Sequence, residues 1–448
     1  MEGRVSLALT GGTVVSSLDP PRLAEADVLV AERRILALDP DRGWSGIRRI
    51  DCSGCLVIPG NVCAHHHLYS SLARGMPYRL DPPTSFLQTL QRIWWRLDRA
   101  LDRGTLSASV MVGGAEALLA GTTTVVDHHA SPNAIEESLE AVASRLEELG
   151  ARSVLCYEVT DRDGPERAEA GLEETRRFLK GWSSHLTRGM VGAHASFTLS
   201  DDTLGACVAV ARDFGTGIHV HVAEDGVDQR DAEGRSGRRV VHRLADAGAL
   251  TEKALLAHCI HLSPDEALAV RETQATPVHA PRSNMNNRVG HAPVALLGDR
   301  LALGTDGIGG DMFAEGRAGY WRGREAGVVA EPGWVLRRLA QSARFAGLVW
   351  DEPLLGRIEP GAPADLVVLD YDPPTPITEE TLGWHWVFGI SAGNVRNVIV
   401  AGEEAVRDRR LTRVDHEELA GRARQEAERL WRRLDEIPEH PFTPAGVA

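Results

Sequence analysis

The sequence predicts an α/β fold in which a (β/α)8 barrel carries a small, discontinuous β-sandwich domain built from both chain ends. Three observations support this TIM-like architecture. Eight apolar runs, each followed by a polar break and a longer helical stretch, lie between residues 59 and 355. Short alternating strands precede and follow that region. The chain has 448 residues, 43% of them hydrophobic, which is enough apolar material for a large buried core.

The two ends of the chain share one strand-rich pattern. Residues 1–58 contain VSLALTGGTVV, ADVLVAERRILALD and IRRIDCSGCLVI, in which apolar and polar residues alternate between turns. Residues 356–448 return to it with PADLVVLDYD and RNVIVAGEEAV and then end in an Arg/Glu-rich helix around residues 416–434. Alternation at a period of two is typical of strands. We therefore expect residues 1–58 and 356–448 to form the two parts of one β-sandwich domain.

The middle of the chain, residues 59–355, is predicted to be the barrel. Its eight apolar runs are CLVIPGNVCAH, TTTVVDHH, RSVLCYEVT, GMVGAHASF, GIHVHVAE, ALLAHCIH, ATPVHAP and RLALGTDG. Continuous apolar strands that alternate with helices indicate a parallel sheet buried on both faces, and eight of them match a closed barrel. The alternative is an open doubly wound sheet. Such a sheet would need a Gly-rich turn that binds a dinucleotide or a phosphate, and the sequence does not contain one.

Composition excludes several classes of function. The net charge is −14, and no basic cluster is dense enough for a nucleic-acid footprint, so we expect no nucleic-acid partner. Six scattered cysteines indicate reduced thiols rather than a disulfide framework. The N-terminal segment lacks the apolar core of a signal peptide. The sequence contains no run of about 18 apolar residues, which is the length that a membrane-spanning helix needs. We therefore expect a cytoplasmic protein without a membrane partner. We also expect a homo-oligomer, dimeric or larger.

Histidines stand near the ends of six of the eight runs, which is the active-site face of a barrel. His65, His66 and His67 are consecutive in a chain with only 17 histidines. Alternate residues of a strand share a face, so an H-x-H pair points one way and His66 the other. The triple therefore predicts one pair of metal ligands, and which pair binds depends on the register of the strand.

Further candidates follow the later strands. His219 and His221 repeat the H-x-H spacing; we interpret His221 as a metal ligand and His219 as a core histidine. Glu224 lies just past the strand, where it could exchange protons with a substrate. His258 ends the sixth run. Asp306 ends the eighth, where a carboxylate could complete a metal site, although a helix cap is the alternative for this residue.

The motifs PGNVCAHHH, HVAED, LLAHCIH and LGTDG, in this order, resemble the amidohydrolase superfamily, in particular its branch of aminohydrolases and chlorohydrolases that act on N-heterocycles. PRSNMNN together with DGIGGDMFAE is most similar to the SsnA-type aminohydrolases. The resemblance covers essentially the whole chain. It is highly specific for the superfamily and the branch, and weakly specific for the substrate.

The resemblance implies a role for each matched residue. It makes His65, His67, His221 and Asp306 the metal ligands. Glu224 and His258, with Asp306, become the groups that move protons, and His194 a contact to the substrate. Two-metal members of the superfamily have a carboxylated lysine at the end of strand four, where this sequence reads GAHASF. One divalent ion is therefore implied. Zn²⁺ fits these ligands, and Fe²⁺ and Mn²⁺ accept them too.

Three functions remain open from the sequence. The first is hydrolytic deamination of an amino-substituted N-heterocycle, such as a purine, pterin, pyrimidine or triazine, by a water that the metal activates. The second is hydrolytic opening of a cyclic amide or amidine ring. The third is a barrel that uses the metal only for structure, which would leave Glu224 and His258 unexplained. Four side chains on or near the loops that follow the strands are predicted to contact the substrate: Arg74, Trp94, His194 and Asn284.

Overall fold

The computed structural model describes residues 5–39 and 47–445. Over these residues the strands form two sheets. The strands are β1 (Leu7–Leu18), β2 (Pro21–Ala31), β3 (Arg34–Leu38), β4 (Arg48–Asp51), β5 (Leu56–Pro59), β6 (Asn61–His66), β7 (Thr122–His129), β8 (Arg152–Val159), β9 (Thr187–Gly189), β10 (Val191–Ala195), β11 (Ile218–Val222), β12 (Leu255–His258), β13 (Thr276–His279), β14 (Ala302–Leu303), β15 (Leu366–Leu369), β16 (Val395–Val400), β17 (Glu403–Arg407) and β18 (Arg410–Leu411).

Most of the helices lie along the chain between β6 and β15. They are α1 (Phe86–Thr89), α2 (Trp95–Ala100), α3 (Arg103–Leu119), α4 (Ser138–Leu149), α5 (Pro165–Gly181), α6 (Asp201–Asp213), α7 (Gly226–Ser236), α8 (Val240–Asp246), α9 (Pro264–Glu272), α10 (Pro281–Asn286), α11 (Met312–Glu325), α12 (Gly333–Trp350), α13 (Leu382–Phe388) and α14 (His416–Asp435). Short 3-10 turns occupy Leu68–Ala73, Ser196–Thr198 and Ala392–Asn394, and a π-helical turn spans Leu90–Trp94. Within the described ranges no helix is long and apolar enough to cross a membrane.

The barrel predicted from the eight apolar runs is confirmed. Its strands are parallel and follow the order β6, β7, β8, β10, β11, β12, β13, β14, with the short β9 paired to β8. The ring closes between the first and last strands, where the amides of Thr305 and Asp306 donate to the carbonyl of His65 at 2.9 and 3.0 Å. This closure brings Asp306 beside the histidine triple, although the two lie about 240 residues apart in sequence.

Strands from both chain ends form the other sheet, as predicted. Its order is β18, β17, β16, β15, β5, β1, β2, β3, with β4 paired to β1. The antiparallel pair of β5 and β15 joins the two ends of the chain. Alternate residues of β15 face two different cores: Leu366 and Val368 pack in the core of this sheet, and Val367 and Leu369 pack against the barrel side. Both faces of β15 are therefore buried, each against a different core.

Helix boundaries follow capping residues in the sequence. Ser263 caps α9 in a reciprocal capping box with Glu266, and Pro264 occupies the first helical position. Asp102 caps α3 through the amides of Gly104 and Thr105. The predicted C-terminal helix is confirmed as α14, which packs against α3 and α2.

Candidate metal centre and active site

Four predicted ligands converge at the carboxyl ends of the barrel strands. Single donor atoms of His65, His67, His221 and Asp306 all lie within 4.8 Å of one another. Asp306 Oδ1 is 3.3 Å from His65 Nε2 and 3.1 Å from His67 Nε2, and the Nε2 atoms of His67 and His221 are 3.1 Å apart. Tetrahedral ligands with metal bonds of about 2.0–2.2 Å lie about 3.4 Å apart, so these separations fit one divalent ion.

Hydrogen bonds behind the rings orient their Nε2 atoms toward this point. His67 Nδ1 donates to the carbonyl of His128 at 2.6 Å, and His221 Nδ1 donates to the carbonyl of His194 at 2.8 Å. A histidine that donates through Nδ1 keeps the lone pair of Nε2 free for a metal. His65 Nδ1 lies 2.8 Å from Nε2 of the buried His219, while its own Nε2 is buried without a hydrogen-bond partner. The donor set therefore fits a metal ion.

Two further histidines of the H-x-H segments do not join the ligand set. His66 turns away from the ligand cluster, and its Nδ1 lies 2.8 Å from Oγ1 of Thr305, which agrees with the period-two geometry of a strand. His219 shares the inner face of β11 with His221 but lies two residues earlier in the strand. It is fully buried behind His65 and also lies 3.6 Å from the thiol of Cys156.

Glu224 and His258 flank Asp306 on the side away from His67. Glu224 Oε2 is 3.4 Å from His258 Nε2, and Asp306 Oδ2 is 4.0 Å from the same nitrogen. Burial, with the charge of Asp306 close by, raises the pKa of Glu224 well above its ordinary value. Although burial favours a neutral carboxyl at Asp306, the imidazoles of His65 and His67 close to its Oδ1 hold its pKa well below the usual range. The two carboxyl groups are thus set for opposite protonation states.

Backbone strain marks the same strand ends. Ala223, His258, Cys259 and Asp306 have φ angles of +47°, +71°, +51° and +54°. Non-glycine residues rarely adopt this left-handed conformation, which costs about 1–3 kcal/mol and clusters at functional sites. These turns let the side chains of His258 and Asp306 face the same space beyond the strands.

A cavity opens above this cluster. Its lining combines aromatic and aliphatic side chains with polar side chains of the strand ends. The lining residues are His67, Tyr69, Ser70, Phe86, Leu90, Trp94, Trp95, Glu158, His194, Ala195, Phe197, His221, Glu224, Asp225, Asp228, Ser283, Asn286, Asn287, Asp306, Gly307 and Ile308. The cavity can therefore hold a flat apolar ring against polar groups.

Two of the four predicted substrate contacts line the cavity and two do not. Trp94 and His194 line it. The side chain of Arg74 is 66% exposed and pairs with Glu116, with N–O distances of 2.5 and 2.7 Å, because it extends from the turn toward α3 and away from the cavity. Asn284 is buried behind His258 and accepts a hydrogen bond from its Nδ1 at 2.9 Å.

Sequence reasoning missed several cavity residues, and Glu158 is the one with the most charged contacts. Glu158 lies one residue before the end of β8, the one barrel strand for which neither histidine nor aspartate was noted, and its carboxylate lines the cavity. Its Oε1 accepts from Arg162 at 2.6 Å and its Oε2 lies 3.1 Å from Nδ1 of His128. Arg162 also pairs with the buried Asp98. The glutamate near the end of RSVLCYEVT was the available signal.

The fold and the site thus define an α/β-barrel protein that holds a divalent ion at the carboxyl ends of its strands. Residues 56–405 match the sequence profile of the amidohydrolase family. Because the match spans most of the chain, this protein belongs to the amidohydrolase family.

Similar proteins align with nearly the whole chain. It is 31% identical over 448 residues to a 5-methylthioadenosine/S-adenosylhomocysteine deaminase of Halobacterium salinarum, with 96% of this chain and 99% of that protein aligned. A deaminase of the same name from Symbiobacterium thermophilum is 30% identical over 456 residues, with coverages of 95% and 99%.

Solved structures share the fold. An adenosine deaminase from Xanthomonas campestris with bound zinc superposes with a TM-score of 0.84 at 23% identity, covering 95% of this chain and 98% of that one. An atrazine chlorohydrolase from Arthrobacter aurescens in complex with zinc superposes with a TM-score of 0.80 at 20% identity, covering 94% of this chain and 100% of that one. At these identities the likeness supports the fold alone.

Proposed function

We propose that this protein is a metal-dependent aminohydrolase that removes the exocyclic amino group of an N-heterocycle, with adenine nucleosides as the first substrates to test. One observation carries the proposal: Glu224, which lines the cavity beside the ligand Asp306, places its Oε2 3.4 Å from His258 Nε2. A purely structural metal site needs no such pair of proton-transfer groups. The names of the relatives that are about 30% identical support the choice of nucleoside.

We further propose one zinc ion per chain, held by His65, His67, His221 and Asp306. When bound there, the ion supplies the Lewis acidity that activates water at neutral pH. Glu158 lies close enough to His194 and His221, and to His67 and His128, to form a second group of donor atoms. However, its Oε1 already accepts a hydrogen bond from the buried, positively charged Arg162 at 2.6 Å, which favours a single ion.

The side chains then divide the proton transfers. Asp306 is ionised and His258 is buried with a lowered pKa, so either can accept the proton that the attacking water loses. Glu224, with its raised pKa, donates a proton to the ring nitrogen next to the amino-bearing carbon. The proton taken from the water then passes to the amino group, which leaves as ammonia, and the hydroxyl proton passes to the Glu224 carboxylate as the ring carbonyl forms. The aromatic side chains of Trp94 and Phe86 would hold the ring in place.

Ammonia release from a panel of compounds tests this proposal. Zinc-loaded protein is incubated with adenosine, 5-methylthioadenosine, a pterin, a cytosine derivative and an aminotriazine, together with a cyclic amide that carries no amino group. We expect ammonia and the matching oxo-heterocycle from at least one amino-substituted ring, and no turnover of the cyclic amide. Turnover of the cyclic amide alone would contradict deamination in favour of ring opening.

A further inference from the structure

His258 has a polar partner on the side away from the cavity. Asn284, in α10, is 1% exposed, and its Oδ1 accepts a hydrogen bond from His258 Nδ1 at 2.9 Å. The opposite ring nitrogen, Nε2, is the atom that faces Glu224 and Asp306, and it is buried without a hydrogen-bond partner. Nδ1 is therefore held by a hydrogen bond, and Nε2 is available for proton transfer.

This contact determines which nitrogen carries the proton. An amide oxygen only accepts, so the neutral His258 ring must carry its hydrogen on Nδ1. The lone pair then resides on Nε2, where a proton arriving from the cavity can be accepted. The other tautomer would place two lone pairs 2.9 Å apart and leave no acceptor toward Glu224. One buried amide thus selects the tautomer that acid–base chemistry requires.

The amide itself is held in the correct orientation. Asn284 Nδ2 lies 3.5 Å from Nδ1 of His279, a fully buried ring at the end of β13. A rotated amide would instead direct its N–H groups at His258 and its oxygen at His279. The backbone of Asn284 is fixed too, since its N–H donates to Ala280 and its carbonyl accepts from Val289.

We propose that Asn284 is a positioning residue, which holds His258 in the Nδ1–H tautomer with Nε2 free toward the cavity. The sequence-based interpretation of Asn284 as a substrate contact is replaced by this role. The proposal rests on the proposed function, in which His258 exchanges protons at Nε2. It extends that function by assigning a residue that does not touch the substrate.

Three variants test the role by kinetics with adenosine or whichever panel compound releases ammonia. Asn284→Leu removes the acceptor at similar volume, and Asn284→Asp keeps an acceptor. Asn397→Leu, at a buried asparagine of β16, controls for the loss of any buried amide. We expect Asn284→Leu to lower kcat by about 10- to 100-fold, as is typical for partners behind a functional histidine, with KM and zinc content unchanged. Asn284→Asp should recover most of the loss, and Asn397→Leu should lower only stability.

A raised KM with unchanged kcat in Asn284→Leu would overturn the proposal, because that result marks a substrate contact. Failure of Asn284→Asp to restore kcat would overturn it as well. The second readout does not need turnover. In zinc-loaded protein with ¹⁵N-labelled histidine, we expect the His258 ring, assigned from its absence in His258→Gln, to show a protonated Nδ1 and an unprotonated Nε2. We expect Asn284→Leu to lose this pattern.

This spectrum separates the two hypotheses. If no heterocycle is deaminated, but His258 shows the Nδ1–H tautomer in the unaltered protein and in Asn284→Asp and loses it in Asn284→Leu, the proposed function fails and the positioning role stands. If His258 carries its hydrogen on Nε2 in the unaltered protein, the positioning role is wrong whatever the enzyme deaminates.

Discussion

The closure of the barrel gives a sharp test at Gly304, which precedes the turn that carries Asp306. A Cβ at this position would lie 2.7 Å from the amide nitrogen of His65, 2.8 Å from its Cβ and 2.9 Å from its carbonyl oxygen. Two of these three atoms belong to the backbone, so a rotamer change cannot relieve the contact. Gly304→Ala must therefore push β6 and β14 apart where the first and last strands meet.

The cost follows from the contacts that separate. Overpacking at a tight site typically costs about 1–3 kcal/mol. The carbonyl of His65 also accepts from the amides of Thr305 and Asp306, and each weakened bond removes up to about 1 kcal/mol. We expect the free energy of unfolding to fall by about 2–4 kcal/mol. Zinc affinity should fall by about 10- to 100-fold, because Asp306 moves away from the histidine ligands.

Urea unfolding of the metal-free protein and competition with a chromogenic zinc chelator measure both effects. Gly205→Ala is the matched control, since Gly205 lies on the exposed side of α6 with nothing within 4 Å of the added Cβ. There the same substitution should stabilise the helix by about 0.5–1 kcal/mol and leave zinc affinity unchanged. If Gly304→Ala retains both its stability and its zinc affinity, the reasoning about the closure is refuted.

Three further predictions concern single side chains. His66→Ala should keep one zinc per chain but lower the free energy of unfolding by about 1–3 kcal/mol, because the ring is buried against Thr305; metal analysis and urea unfolding test this, and zinc loss would contradict it. Arg74→Ala should leave kcat and KM unchanged and stability within about 1 kcal/mol, because the exposed pair with Glu116 lies outside the cavity; a raised KM would restore Arg74 as a substrate contact. Trp94→Ala should raise KM more than it lowers kcat in steady-state kinetics, because the indole lines the cavity and stacks on the ring of the substrate; unchanged constants would contradict this contact.

The strand ends were predictable from the sequence because the barrel imposes a simple rule. Each parallel strand is a continuous apolar run, and residues at its carboxyl end face one common mouth. Period-two geometry then separated His65 and His67 from His66 without any knowledge of their partners. His221 and Asp306 followed in the same way, since each ends a strand or lies at the turn directly after one.

Residues outside the strands could not be placed by that rule. Arg74 follows a 3-10 turn, and Asn284 lies in a short helix, so the direction of each side chain depends on packing between elements that are distant in sequence. Glu158 shows a different limit. Its position one residue before the end of its strand fits the rule, although the sequence-based prediction covered only histidine and aspartate at the strand ends.

Zinc content and ammonia release, measured together on the unaltered protein and on Glu224→Gln, test the central claim most directly. Glu169→Gln, an exposed position on α5, is the control for the substitution itself. We predict one zinc per chain in all three proteins, and ammonia release that falls by about 10²- to 10⁴-fold in Glu224→Gln alone, since the amide cannot donate and accept the transferred proton. Loss of zinc from Glu224→Gln, or undiminished ammonia release by it, would contradict the account.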